Sequence, residues 1–309
     1  MQGREGAASR TGRGWTELDG IVWSLSLTGN TARKDTPCVP SRNIVYEALV
    51  LRARESPRGD RIVGLMTAEA GLVDVFVFGG PKSKLRSLAA PYSAGRAFIY
   101  HDPVKDLSKL SDFDVHEPFS GLREDLRKIW AAGLVAELLQ KTSGGGGDYD
   151  LVLGLALDTL RSLEALPSER ADYPVLLFIW RMLGITGLMP DPDACASCGR
   201  DLESGASPVY SEEAGGFLCP ACARAGSAAA AAEGSQAYSE APEWRGRHYP
   251  LTAGALRWLQ RSGGIPFIMA ARTGLDEESL EGLKALVYQL ARKAAEGPLA
   301  SLQSGLDIL

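Results

Sequence analysis

Two short stretches, Cys195-Ala196-Ser197-Cys198-Gly199 and Cys219-Pro220-Ala221-Cys222, hold four of the five cysteines in this 309-residue chain. Twenty residues, 199–218, separate the two pairs. Each Cys-x-x-Cys turn lets two sulfur atoms face one point, and two such turns supply the four thiolates that tetrahedral zinc requires. We therefore predict one structural zinc ion per chain, held by Cys195, Cys198, Cys219 and Cys222. Four thiolates fill the coordination sphere and leave no position for a catalytic water.

Two disulfides or a redox-active pair are the competing interpretations of these cysteines. Disulfides belong to oxidising compartments, and the sequence shows no recognisable secretory signal. A redox Cys-x-x-Cys stands singly beside a βαβ pattern rather than as a matched double. A zinc deaminase is also disfavoured, because that class carries His-x-Glu and Pro-Cys-x-x-Cys. Here Leu218 precedes Cys219, and His116 is followed directly by Glu117.

The composition is that of a globular protein whose charge is unevenly distributed. Apolar residues make up 45% of the chain, but no run approaches the ~18 apolar residues of a membrane helix, so we expect a cytoplasmic protein without membrane contact. The net charge is −5 overall, yet 42–110 carries +4 and 111–309 carries −10. This asymmetry favours nucleic-acid contact in the first block and protein contact in the second, although plain solvated surfaces would give the same counts.

The sequence pattern of the first block is typical of a small β-barrel. Apolar and polar residues alternate in five short runs that are separated by turn signals, at about 44–54, 61–67, 72–78, 94–101 and 109–115. Five such strands over about seventy residues predict an OB-like barrel spanning 42–116, and the periodicity leaves an SH3-like barrel open.

A loop rich in cations follows the third run and is the first candidate for DNA contact. Residues 79–87 open with Gly-Gly-Pro and carry Lys82, Lys84 and Arg86, so we predict a flexible basic loop that tracks phosphates. Further candidates lie on the predicted strands, namely Arg52, Arg54, Arg61 and Arg96.

Aromatic residues on the same strands have two interpretations. Phe76, Phe78, Phe98 and Tyr100 could stack bases or could fill the barrel core. Because Phe76 and Phe78 share one face by alternation, we expect at least some of the four rings to lie in the core, and we rank the basic loop above them as a contact site.

The second block, 117–309, has helical periodicity. Apolar residues recur at helical spacing at about 121–141, 150–164, 172–184, 252–262 and 276–294. The zinc module, about 191–224, is inserted among these helices and contains a predicted hairpin at 208–218. The Ala-, Gly- and Ser-rich stretch at about 225–244 is predicted to be a flexible linker or a weak helix. Residues 1–41, which include Cys38, lack periodicity and are expected to form a disordered extension or to precede the true start of translation.

Several stretches in this order resemble the RecO family of bacterial DNA recombination and repair mediators. In the first block they are Tyr46-Glu-Ala-Leu-Val-Leu51 and Lys82-Ser-Lys-Leu-Arg86 followed by Pro91. In the second block they are Glu117-Pro-Phe119 before Leu122-Arg-Glu-Asp-Leu126, then Cys195–Arg200, and Glu213-Ala-Gly-Gly216 before Cys219–Cys222. The resemblance covers about 43–309, whereas 1–41 and the Ala-rich stretch after the cysteines depart from the family pattern.

The resemblance implies a non-enzymatic function with defined partners. Members of the family bind single- and double-stranded DNA through the barrel, and they anneal complementary strands coated with single-stranded-DNA-binding protein. With RecR they help load RecA onto such strands. The sequence itself contains no paired-carboxylate motif, nucleophile elbow or nucleotide-binding loop. The alternatives are a zinc-ribbon transcription or RNA-binding factor and, third, a zinc-dependent enzyme.

Overall fold

A computed structural model describes residues 42–56, 59–80, 83–203, 205–225 and 248–305. The expectations for 1–41 and for the linker after residue 225 therefore lie outside the described residues. Within the described ranges, no helix combines the length and the hydropathy needed to cross a membrane. The chain forms a β-barrel followed by a helical region, and the predicted α+β class is confirmed.

Five strands close the barrel in the order β1-β2-β3-β5-β4, and β4 pairs back with β1. The strands are β1 Asn43–Glu55, β2 Arg61–Thr67, β3 Gly71–Val77, β4 Ala94–Asp102 and β5 Leu107–Glu117. All pairings are antiparallel except β3 with β5, which run parallel at Phe76 and Lys109. This is the OB-like arrangement expected from the sequence.

Apolar residues fill the barrel because alternate positions on each strand point inward. The interior cluster includes Val50, Val63, Leu65, Val75, Val77, Ile99, Leu110 and Phe113. Between β3 and β4, the predicted flexible loop instead contains helix α1, Lys84–Leu88. Leu85, Leu88 and the following Ala89 pack against the barrel interior, so three apolar side chains fix this segment.

Helices make up most of the remaining described chain. They are α2 Leu126–Lys141, α3 Tyr149–Ala165, α4 Asp172–Ile185, α5 at 220–225, α6 Ala253–Ser262, α7 Phe267–Arg272, α8 Glu277–Ala294 and α9 Ala300–Gly305. Asp125, Thr252 and Asp276 accept hydrogen bonds from backbone N–H groups at the starts of α2, α6 and α8, which satisfies donors that a helix start leaves free. The five predicted helices are all present.

The barrel and the helices share one apolar cluster. Leu49, Leu51, Met66 and Ala94 point out of the barrel and belong to the cluster that surrounds α2, α3 and α4. At the edge of this contact, Arg161 of α3 donates to both carboxylate oxygens of Glu117 at 2.8 and 2.6 Å. This interface fixes which outer surface of the barrel remains available to ligands.

Candidate metal centre and nucleic-acid interface

The four predicted metal ligands lie together. The sulfur atoms of Cys195, Cys198, Cys219 and Cys222 are all within 4.8 Å of one another, and those of Cys198 and Cys219 are 3.9 Å apart. A tetrahedron with zinc–sulfur bonds of ~2.3 Å has edges of ~3.8 Å, so the spacing fits one tetrahedral ion. The four cysteines can therefore hold a metal ion.

Local backbone bonds shape the first cysteine turn. The Gly199 N–H donates to the Cys195 carbonyl at 2.8 Å, and Gly199 adopts a φ of 69°, which glycine tolerates. The Cys195 N–H donates in turn to the Arg200 carbonyl at 2.8 Å. This tight turn explains why glycine follows the second cysteine of the pair.

The Cys195 sulfur is the buried member of the cluster and sits among backbone donors. Its residue is 2% exposed, and the Cys219 N–H donates to its sulfur at 3.3 Å. Burial raises the pKa of the Cys195 thiol, but the N–H groups of Cys219, Cys198 and Ser197 outweigh that effect and bring the pKa down to about 6. Cys195 itself therefore favours the thiolate, which is the form that binds metal.

A three-stranded sheet anchors the cluster to the helical region. Its order is β7-β6-β8, with β6 Val209–Ser211, β7 Gly216–Leu218 and β8 His248–Pro250. The hairpin of β6 and β7 was predicted, whereas β8 was not. The Ala196 N–H donates to the Phe217 carbonyl at 2.8 Å, and Gln260 Nε2 of α6 donates to the carbonyls of Pro192 and Leu202. The cysteine turns are thus tied to both the sheet and α6.

Two of the predicted DNA-binding arginines share a carboxylate on the outer face of the barrel. A bulge in β1 between Val50 and Arg52 places Arg52 outside, and its guanidinium reaches Asp74 Oδ2 at 3.1 Å. Arg54 reaches the same oxygen at 3.5 Å. A Cβ atom at Gly64 would lie 2.9 Å from the Arg52 side chain, so this glycine leaves room for the arginine to cross β2. The three charged side chains are about half exposed.

The other predicted cations occupy different environments. Arg96 is paired with Glu47 at 3.0 Å on the outer face of β4 and β1. Arg61 donates to the Ala89 carbonyl and Arg86 to the Gly59 carbonyl, and the Nε atoms of both arginines are buried. These two arginines therefore help to hold α1 against the barrel.

The environment of Lys84 in the basic segment differs from that of Arg86. Lys84 is exposed at the start of α1 and makes no ion pair or hydrogen bond through its side chain among the described residues. Lys82 lies outside the described residues. The structure thus brings Arg52 and Arg54 together on one surface and leaves Lys84 accessible at another position.

The four aromatic residues lie outside the barrel core. Phe76, Phe98 and Tyr100 are partly buried, and Phe78 is 40% exposed, whereas the interior positions of β3 and β4 hold Val75, Val77, Ala97 and Ile99. The expectation that some of these rings fill the core was wrong, because the strands place smaller residues inside and the rings on the alternate face.

The chain therefore combines an OB-like barrel with a helical region that carries four cysteines able to hold a metal ion. Family models described as recombination protein O, N terminal and C terminal, match residues 42–119 and 123–239. The chain belongs to the RecO family of DNA repair proteins.

Curated relatives agree with this assignment. The DNA repair protein RecO of Anaeromyxobacter sp. (strain Fw109-5) is 32% identical over 250 residues, which is 80% of this chain and 91% of the relative. That of Anaeromyxobacter dehalogenans (strain 2CP-C) is 35% identical over 178 residues, covering 57% of this chain and 68% of the relative. That of Rubrobacter xylanophilus is 28% identical over 255 residues, covering 80% and 92%.

Proposed function

We propose that this protein is a non-enzymatic mediator of DNA repair in the bacterial cytoplasm, acting at the nucleoid. It binds single- and double-stranded DNA, anneals complementary strands and, with RecR, helps load RecA onto strands coated by single-stranded-DNA-binding protein. The observation that carries the proposal is membership of the RecO family through both its N-terminal and C-terminal models. The cations on the outer face of the barrel support DNA contact.

A strand-annealing assay tests this function. Two complementary labelled oligonucleotides, each coated with single-stranded-DNA-binding protein, should anneal faster with the protein than without it. A non-complementary pair and heat-denatured protein serve as controls. Tight binding to RNA without any annealing of DNA would instead favour the zinc-ribbon transcription or RNA-binding factor.

We further propose that the metal is zinc, one ion per chain, and that its role is structural. Four cysteine sulfurs provide the soft ligand set that zinc prefers in closed tetrahedral sites. The cluster is linked to β7 and α6, so the ion would hold two chain segments of the helical region together.

Removing Lys82 and Lys84 should weaken DNA binding and reduce its dependence on salt. Each phosphate contact releases counterions, which gives a slope of about −0.7 per contact for single strands. The double variant Lys82→Ala/Lys84→Ala should therefore flatten the slope of log K against log salt by about 1.4 units if both touch phosphate. Titrations of a labelled oligonucleotide at several salt concentrations measure this slope.

The adjacent Arg86 provides the comparison for that experiment. Since Arg86 donates to the Gly59 carbonyl, Arg86→Ala should also lower stability, whereas the lysine variant should unfold like the wild type. An unchanged slope in the lysine variant would remove this segment from the DNA site.

Replacing Asp74 with asparagine should strengthen DNA binding. The Asp74 carboxylate pairs with both Arg52 and Arg54, so its removal leaves two guanidinium groups free to meet phosphates. We expect several-fold tighter binding and a slope that is steeper by about 0.7 for each phosphate gained. Stability should change by only about 1 kcal/mol or less, because the pairs are exposed.

The control for Asp74→Asn is Glu213→Gln, which removes one negative charge from an exposed position between the cysteine pairs. An equal gain in both variants would show a general charge effect. No gain in Asp74→Asn would show that Arg52 and Arg54 do not contact DNA.

A further inference from the structure

Four aromatic rings form a patch on the outer face of β3 and β4. Phe76 lies on β3 and Phe78 just after the end of that strand, and their rings stack with centroids 6.1 Å apart and planes 16° from parallel. Phe98 and Tyr100 hold the equivalent alternate positions on β4. None of the four belongs to either apolar cluster of the described residues. Phe78 is the exposed ring of the four, and the other three are partly buried.

Two positively charged residues, Lys109 and Arg42, lie beside these rings. Lys109 of β5 lies in register with Tyr100 on one side and with Phe76 on the other. Its Nζ atom is 5.4 Å from the centroid of Phe78, and Arg42 donates to the Tyr100 hydroxyl at 3.3 Å. Positive charges thus lie beside the aromatic rings on this outer surface of the barrel.

The surroundings define how a ligand would lie on this patch. Asp74, which holds Arg52 and Arg54, is on the same face of β3 as Phe76, so further cations flank the rings towards β1. Asp112 is in register with Phe98 and accepts a hydrogen bond from its neighbour's N–H at 2.9 Å, which places negative charge at that edge. A phosphate chain would therefore run past Lys109 and Arg42 and away from Asp112.

We propose that Phe76, Phe78, Phe98 and Tyr100 form a base-stacking surface for single-stranded nucleic acid, with Lys109 and Arg42 as its phosphate contacts. Aromatic faces beside backbone-tracking cations are the means by which proteins hold unpaired strands. A duplex would present its phosphates but keep its base faces stacked within the helix. The inference rests on the proposed DNA-binding function and deepens it, because it names the strand form and the rings that recognise it.

The variant Phe78→Ala tests the inference. Loss of one stacking partner should weaken binding of oligothymidine by about tenfold, within the range measured for single stacked bases. Binding of a blunt duplex should change by less than about twofold, and the salt slope should stay the same because no cation is removed. Phe78→Trp should retain wild-type affinity, because it keeps a large planar ring at this exposed position.

Val104→Ala is the matched control. Val104 is also an exposed apolar side chain of the barrel, in the turn between β4 and β5, and it should affect neither ligand. Unfolding midpoints of all three variants check that the barrel is intact.

Other results would overturn the proposal in distinguishable ways. Unchanged oligothymidine affinity in Phe78→Ala would remove the ring from the site, and equal losses for duplex and single strand would mean that it acts on the fold. Reduced self-association with intact DNA binding would mean that the patch contacts a second copy. If the wild type anneals strands and only the stacking test fails, the proposed function stands; if the wild type binds no DNA, both fail.

Discussion

Serine in place of Cys195 is expected to abolish metal binding and to destabilise the helical region. The side chain is buried, and its sulfur is surrounded by three other thiols and by backbone N–H donors. Structural zinc contributes on the order of 10 kcal/mol of binding free energy that is coupled to folding. Loss of such a site is among the changes that cost about 4 kcal/mol or more, and we expect a decrease of that size in the free energy of unfolding.

Elemental analysis and denaturant unfolding measure the two parts of this prediction. The wild type should contain about one zinc per chain and the variant about none, because three ligands bind zinc far more weakly than four. Cys38→Ser is the control, since Cys38 has no partner at a metal-binding spacing. Full zinc content with unchanged stability in Cys195→Ser would contradict the proposed site.

Elements defined by local pattern could be predicted from the sequence. The five strands and the five long helices were predicted because their periodicity extends over several residues of the chain. The cysteine cluster was also predicted from a local pattern, because Cys-x-x-Cys fixes two ligands within one turn. The two pairs were predicted to share one ion, and in the fold their sulfur atoms lie within 4.8 Å of one another.

Short elements and elements formed by distant pairing could not be predicted. Strand β8 is three residues long and exists because it pairs with β6, which lies about forty residues earlier in the chain. Helices α1 and α7 have five and six residues, too few for a helical repeat to be visible. The α1 segment was interpreted as a flexible loop because Gly79-Gly80-Pro81 suggests a turn, yet Leu85 and Leu88 pack on the barrel.

The environments of the candidate DNA-binding residues also depend on the barrel. No local pattern indicates that Arg52 crosses Gly64 to reach Asp74, since the three residues lie on three strands. Strand alternation correctly placed Phe76 and Phe78 on one face, but it did not specify which face was interior. In the structure Val75 and Val77 occupy the interior positions of β3.

Alanine at Gly95 is expected to prevent normal closure of the barrel. Gly95 lies in β4 where that strand pairs with Ala48 of β1 and with Val115 of β5. A Cβ atom here would overlap the Asp114 carbonyl oxygen and would lie 2.9 Å from the His116 nitrogen and the Val115 Cα. All three neighbours are backbone atoms of β5, so relief requires β4 and β5 to separate.

We expect Gly95→Ala to lower the free energy of unfolding by about 3 kcal/mol, at the upper end of the usual cost of overpacking. DNA affinity should fall with it, because the cations and rings on β3, β4 and β5 depend on this closure. The matched control is Gly133→Ala on α2, where a Cβ would make ordinary contacts at 3.6 Å with the Tyr92 hydroxyl and 4.0 Å with Ser301 Oγ.

The two alanine variants should therefore change stability in opposite directions. Gly133→Ala removes backbone freedom from the unfolded chain and should raise the free energy of unfolding by up to about 1 kcal/mol. Denaturant unfolding followed by circular dichroism, with oligonucleotide titration of each variant, gives both quantities. Wild-type stability in Gly95→Ala would show that β4 and β5 can move apart without loss, and that the closed barrel is not required for the fold.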